Sequence, residues 1–211
     1  MARWEPNAVG RLQEAAMELF LEPGYDKVAV AELAARAGLS RRTFFRYFAD
    51  KREVLFFGTS KIEALVSEGI VGAPDGMSAL EAVALALAPI AKLSDDDASW
   101  AGYVRQRNTV IQANAELRER ELSKHAALAV ALSTALRSRG VTELAARLAA
   151  EAGLIAFKVG FERWIDDPER RPMARHIGDA MRGLGPVVEG SVALAPTTRT
   201  PAAKKRQPRP R

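Results

Sequence analysis

Residues 31 to 51, AELAARAGLSRRTFFRYFADK, constrain this 211-residue chain more than any other stretch. Val30, Leu33, Ala34 and Ala37 fall at i, i+3, i+4 and i+7, the spacing that lines one face of a helix. Gly38 then supplies a backbone free to take positive φ, and Leu39 gives the turn an apolar peg. Ser40 is suited to cap a second helix starting at Arg41, because its hydroxyl can accept from an orphan amide of the first turn. Phe44 and Phe48, four apart, face inward together and leave Arg41, Arg42, Thr43, Phe45 and Tyr47 on other faces. Two short helices joined by a glycine turn make a helix-turn-helix, a unit whose second helix enters the major groove of DNA.

With the Gly24-Tyr25 turn ahead of it, this stretch resembles the DNA-binding motif of TetR-type transcriptional regulators. The family pattern runs glycine-aromatic, threonine pair, amphipathic helix, glycine, apolar residue, serine, three variable residues, apolar-aromatic, then an aromatic pair and a lysine. The chain departs from it at Val28-Ala29, where the family has a capping, phosphate-touching hydroxyl, and at Phe45, where tyrosine is common. The resemblance covers about the first quarter of the chain. It implies DNA contacts from Ser40, Arg41, Arg42, Thr43, Phe45, Tyr47 and Lys51, with Tyr47 and Lys51 at positions that meet phosphates. Arg41, Arg42 and Thr43 lie on the first turn of the recognition helix, and Arg can donate two hydrogen bonds to guanine. Phe45 either touches a thymine methyl or sugar or packs inside.

Charge agrees with that placement. Arg36, Arg41, Arg42, Arg46, Lys51 and Arg52 face only Asp50, a local +5 of the kind a phosphate-binding surface carries. The net charge of +5 has a second source: Arg199, Lys204, Lys205, Arg206, Arg209 and Arg211 put six cations and no acid in the tail, leaving the rest of the chain at −1. The tail, residues 191 to 211, is predicted to be disordered, acting as a non-specific DNA tether or as a bland solubilising segment. The absence of cysteine suits a reducing cytoplasm. No apolar run reaches the ~18 residues of a membrane span, and Met1 to Pro6 lacks the layout of a signal peptide.

The apolar pattern predicts an all-α fold of about nine helices: a three-helix head over residues 1–52, with the motif at about 30–49, and a six-helix body over 53–190. A first helix runs from Asn7 to Leu21 and ends at Pro23-Gly24. A fourth, capped by Asp50 and continuous to Val71, links head to body. Ser78 and Glu81 form a capping box for a helix that Pro89 kinks or ends early. Ser94 to Asp97 start the next, with the Asp95-Asp96-Asp97 run as helix-start charge, and this helix carries Trp100, Tyr103 and Ile111. Long helices follow from Ala115 to Arg139 and from Thr142, and Asp167-Pro168 opens the last, ending near Val188.

For the body, the resemblance implies a homodimer through the last two helices, about 142–188, with Ala149, Ala152 and Ala156 allowing close approach. Its sequence RQRNTVIQANAELRERELSKH is loosely similar to that of members sensing lipophilic or acyl-thioester compounds. Trp100, Tyr103, Ile111, His125 and Phe157 are the expected wall of an apolar effector site, with Arg105, Arg107 or His125 for a polar end. His125 also fits as a satisfied core histidine, and His176 reads as a surface residue. No activated nucleophile, phosphate loop, paired carboxylate, metal cluster or cofactor motif is legible, which argues against an enzyme. The leading expectation is a homodimeric repressor on a palindromic operator, released by a small ligand. A ligand-independent DNA-binding or nucleoid-type protein is the alternative.

Overall fold

The computed structural model describes residues 7–189, and all regular structure among them is helical. Ten α-helices follow in order: α1 (Ala8–Leu19), α2 (Val30–Arg36), α3 (Arg41–Tyr47), α4 (Glu53–Phe56), α5 (Thr59–Val71), α6 (Ala79–Asp96), α7 (Ala98–Ala113), α8 (Ala115–Ser138), α9 (Glu143–Ile165) and α10 (Met173–Glu189). None is long and apolar enough to cross a membrane. The basic tail lies outside the described residues.

The head follows its local chemistry. Asn7 caps α1 by accepting from the amide of Gly10. Pro23 has no N–H to return to the carbonyl of Leu19, and the end of the first helix widens into a π turn at Phe20–Gly24. Gly38 sits at φ 66°, and its amide and that of Leu39 return to the carbonyls of Ala35 and Ala34, closing α2 as a Schellman turn. Ser40 caps α3, its Oγ 3.0 Å from the amide of Thr43. Phe44 and Phe48 are buried beside Leu12, Leu33, Tyr25 and Val54. Val110, Ile111 and Leu117, from the junction of α7 and α8, complete the same apolar cluster, so the head is seated on the body by shared core.

Five expectations are corrected by packing and capping. The single fourth helix is broken: Asp50 accepts from the amides of Arg52 and Glu53 as expected, yet α4 stops at Phe56, and Gly58 at φ 90° restarts the chain as α5. Conversely, α6 does not end at Pro89 but continues to Asp96, because Ala86, Leu87 and Ala91 on either side are buried, and that burial outweighs the ~3 kcal/mol a helix-interior proline costs. The last helix begins at Met173 rather than at Pro168. Asp167 accepts from the amides of Glu169 and Arg171 in the intervening turn, and the first amides of α10, on Met173 and Ala174, bond across to the carboxylate of Asp95 at 2.5 and 3.1 Å. Of the acidic run, only Asp97 caps a following helix, by accepting from Ser99 and Trp100. Finally, His176 is buried, its Nε2 2.9 Å from Oδ2 of Asp167.

Small residues set how closely the body packs. A Cβ built on Gly160 of α9 would lie 2.6 Å from Cα of Ile177 in α10, so that crossing requires glycine. Ala146, Ala150, Gly153 and Ala156 are buried against the other body helices, which places the close approach at Ala156 inside the subunit. The outer face of α9 presents Leu144, Leu148, Ile155 and Val159 to solvent.

Candidate functional site

The surface of α3 carries the sequence-predicted DNA contacts, and ion pairing decides which of them are free. Arg36 is bonded to Glu18, and Arg52 to Asp50 and Glu116. The local +5 therefore contracts to Arg41, Arg42, Arg46 and Lys51, the last of these held by backbone carbonyls rather than by a carboxylate. Arg41 and Arg42 are exposed, have no carboxylate partner among the described residues, and share the first turn of α3 with Ser40 and Thr43, whose hydroxyls lie 2.9 Å apart. The Arg41 guanidinium lies 5.5 Å from the centroid of the Phe45 ring, which is exposed. Phe45 is thus on the outer surface rather than in the core. Tyr47 is half-buried, its hydroxyl accepting from Arg46.

Lys51 has a different occupation. Its Nζ donates to the carbonyls of Tyr25 at 2.8 Å and Val28 at 3.4 Å, and sits 4.1 Å from the centroid of the Tyr25 ring. Two of its three protons brace the strand-like entry to α2, so one remains for a phosphate.

A cavity of about 560 Å³ opens in the body, within the ~300–1,000 Å³ range of small-molecule sites. Trp100, Tyr103, His125 and Phe157 line it, and Trp100 and Tyr103 stack at 5.3 Å between centroids and 24° between planes. Ile111 does not join them. It points instead into the apolar cluster shared with the head, where its side chain is fully buried. The wall also reaches the head, through Gln13 of α1 and Leu55, Phe56 and Phe57 at the α4–α5 break.

One side of this cavity is charged. Oε2 of Glu121 accepts from Arg107 at 2.8 Å, and Oε1 is bonded to Nζ of Lys124. Burial by itself would raise the Glu121 carboxyl, but Arg107 and Lys124 outweigh it and hold the pKa down to about 2. Burial pushes the Lys124 ammonium and the His125 imidazole down, the latter aided by Lys124 nearby. His125 is therefore neutral at pH 7 and can both donate and accept a hydrogen bond. Periodicity could not reveal this cluster: Arg107 and Glu121 are on different helices, and only their meeting in space makes a site. Arg105, the other expected polar end, lies with its guanidinium 3.8 Å from the Trp164 ring centroid instead.

The arrangement has known counterparts. Residues 12–56 match the family model for bacterial regulatory proteins of the tetR family. The chain is 37% identical to the HTH-type transcriptional regulator TcmR of Streptomyces glaucescens over 68 residues, 32% of this chain and 30% of that protein. It aligns with between 22% and 32% of the length of the curated relatives it matches. Among solved structures, FadR of Thermus thermophilus, a TetR family transcriptional repressor in complex with lauroyl-CoA, is 20% identical with a TM-score of 0.52, over 91% of this chain and 100% of that one. SmeT in complex with triclosan is 17% identical with a TM-score of 0.59, over 93% and 99%. SmeT is the repressor of the Stenotrophomonas maltophilia multidrug efflux pump SmeDEF. At these identities the structural likeness is one of fold, and it extends along the body that the family model leaves uncovered. Residues 12–56 of this chain thus match the DNA-binding segment of the tetR family of bacterial regulatory proteins, and its described length shares the fold of these solved regulators.

Proposed function

We propose that the protein is a homodimeric, cytoplasmic repressor that holds a palindromic operator with α3 and lets go when a small, largely apolar ligand fills the body cavity. The observation that carries this reading is the cavity wall, which combines body residues Tyr103 and Phe157 with Gln13, Leu55, Phe56 and Phe57 at the base of the head. A ligand there touches the elements that set the head's position, which is what differential affinity for two head positions requires. Residues 1–52 act as the DNA-binding part, with Ser40, Arg41, Arg42, Thr43, Phe45, Tyr47 and Lys51 at the duplex, and residues 53–190 as the ligand and dimer part. Support for an apolar ligand portion comes from lauroyl-CoA, with its long acyl chain, and triclosan in the complexes of FadR and SmeT. Support for the dimer comes from the apolar outer face of α9, Leu144, Leu148, Ile155 and Val159.

Selection of a binding site from random duplexes, followed by a thermal-shift and operator-release screen of hydrophobic acids, acyl thioesters and aromatic drugs, tests the proposal. The selected site should be a palindrome with half-sites about 34 Å apart or somewhat more. At least one screened compound should raise the melting temperature and release the operator. Binding without sequence preference and without any stabilising compound would favour the ligand-independent alternative.

A further inference from the structure

The break between α4 and α5 is held by side chains that also line the cavity. Where α4 ends, its last carbonyls lose their helical partners and must find others. The carbonyl of Phe56 accepts from the Thr59 hydroxyl at 2.6 Å, and that of Val54 from Gln13 at 3.5 Å. The carbonyl of Leu55 accepts from Nε of Arg107 at 2.7 Å, across from α7. Arg107 also lies 4.9 Å from the centroid of the Phe56 ring. Its other end bonds Glu121 inside the cavity. One guanidinium thus ties the end of the head's last helix to the charged wall of the ligand site.

That wall has an unbalanced charge. Arg107 and Lys124 face one carboxylate, Glu121, and all three side chains are under a fifth exposed. His125, 3.5 Å from Glu121, adds no charge when neutral. Lys158 and Glu162 pair with each other, and Asp166 is exposed at the end of α9, about one turn beyond Glu162. A surplus cation in a half-desolvated wall is costly and is offset by an anion. Resting on the regulator reading above, we infer that the effector is an amphipathic anion whose charged group is taken by Lys124 and Arg107, and that it acts by drawing Arg107 off the Leu55 carbonyl, freeing the end of α4. The apolar part lies along Tyr103 and Phe157. An anion bonds a guanidinium more strongly than a neutral carbonyl does, so the exchange runs toward release. A neutral lipophile can fill the same volume yet has nothing with which to displace Leu55.

Matched pairs isolate the charge. Laurate against 1-dodecanol, and 2-naphthoate against 2-naphthalenemethanol, are titrated into the full chain by calorimetry and into its complex with the selected operator. Each acid should bind about 10- to 100-fold more tightly than its alcohol, the value of a charge-assisted hydrogen bond. Saturating acid should weaken operator binding by about 5- to 150-fold. K124Q should lose most of the acid preference. R107Q should still take up laurate at higher concentration while its operator affinity no longer responds, and R107K, which keeps the charge without the fork, should respond only weakly. Alcohols that bind as tightly as their acids would overturn the anion site, a result read on the unaltered protein whether or not the variants fold. An R107Q chain released by laurate to the same extent as the unaltered one would overturn the role of Arg107. Either outcome leaves the repressor reading standing, whereas a chain that bound no duplex and none of the four probes would fail on both.

Discussion

His176 and Asp167 meet in the core at the corner between α9 and α10, Nε2 to Oδ2 at 2.9 Å, with the two side chains 5% and 1% exposed. Asp167 accepts four further bonds, from the amides of Glu169 and Arg171 and from both arms of the Arg171 guanidinium. The Arg171 guanidinium, with His176 and the two amides, overcomes the cost of burial and holds the carboxyl well below the usual range. This knot ties His176 of α10 to the turn that leaves α9, while Asp95 takes the first amides of α10. His176→Ala should cost about 1–3 kcal/mol in chemical denaturation, because it leaves a buried acceptor short of a donor. A change within error would show that Arg171 alone suffices.

Glu121 gives a pH dependence with a defined sign. Its carboxyl falls from an ordinary 4.5 to about 2 in the folded chain, so the unfolded state binds the proton first as pH drops. The stability it contributes is complete above pH 4.5 and is lost as the pH falls toward 2, on the order of 3 kcal/mol in all. Glu121→Gln should flatten the stability curve in that window relative to the unaltered chain. Equal slopes for the two proteins between pH 4.5 and pH 2 would show that the carboxylate is not held by Arg107 and Lys124.

The α9–α10 crossing can be tested at a single atom. Gly160→Ala puts a methyl 2.6 Å from Cα and 2.8 Å from N of Ile177, against backbone that cannot swing aside. Overpacking of this kind costs about 1–3 kcal/mol and shifts the helices apart. Gly102→Ala, where a Cβ meets nothing within 4 Å, is the control and should be neutral or slightly stabilising through helix propensity. Similar denaturation midpoints for the two variants would argue against so close a crossing.

The head and the helical class were legible because their determinants are local. Gly38, Ser40 and the Phe44/Phe48 pair act within a few residues of where they stand, and the capping box of Ser78 and Glu81 forms as the spacing predicts. What escaped was decided at a distance. Asp167 reads as a helix cap until Arg171 and His176 turn it inward, and His176 reads as surface until Asp167 draws it in. The fourth helix reads as continuous because Phe57-Gly58 is a mild local signal, and donors from Gln13 and Arg107 are needed to satisfy the broken end. In the cavity wall, four expected residues converge, while Ile111 turns toward the head. Aromatic residues at helical spacing mark burial without saying which of two neighbouring cores receives them.

The outer face of α9 makes the dimer testable. Leu148 and Ile155 are each more than half exposed on a helix whose inner face is already packed, so a second copy is the partner that would bury them in the proposed dimer. Ile155→Glu places a charge at the centre of that face, where desolvating it costs several kcal/mol. The variant should sediment as a monomer at micromolar concentration with its helical content intact, and should lose operator binding because two half-sites need two heads. Dimeric sedimentation of the variant would move the interface elsewhere.

Arg41, Arg42 and Lys51 separate base reading from bracing. Arg41 and Arg42 are exposed with no carboxylate to neutralise them among the described residues, so replacing either with Ala removes nothing that the head needs to fold. Loss of a bidentate guanine contact should cost about 1–3 kcal/mol against the selected operator and almost nothing against unrelated duplex, relaxing preference at one base position. Lys51→Ala has a compound effect. It removes one cation near the phosphates, which lowers the salt slope by about one, and it leaves the carbonyl of Val28 without its lysine donor and that of Tyr25 with only the Val28 amide. A buried acceptor left unpaired costs about 1–3 kcal/mol, so this variant should also melt earlier, whereas the two arginine variants should melt with the unaltered chain. Lys51→Arg keeps the charge but cannot fit its planar fork to the same two carbonyls, and should restore the salt slope while leaving the melting temperature low. If Lys51→Ala changed the salt slope alone, with no loss of stability, the ammonium would be a phosphate contact and the brace at Tyr25 would contribute nothing to the head.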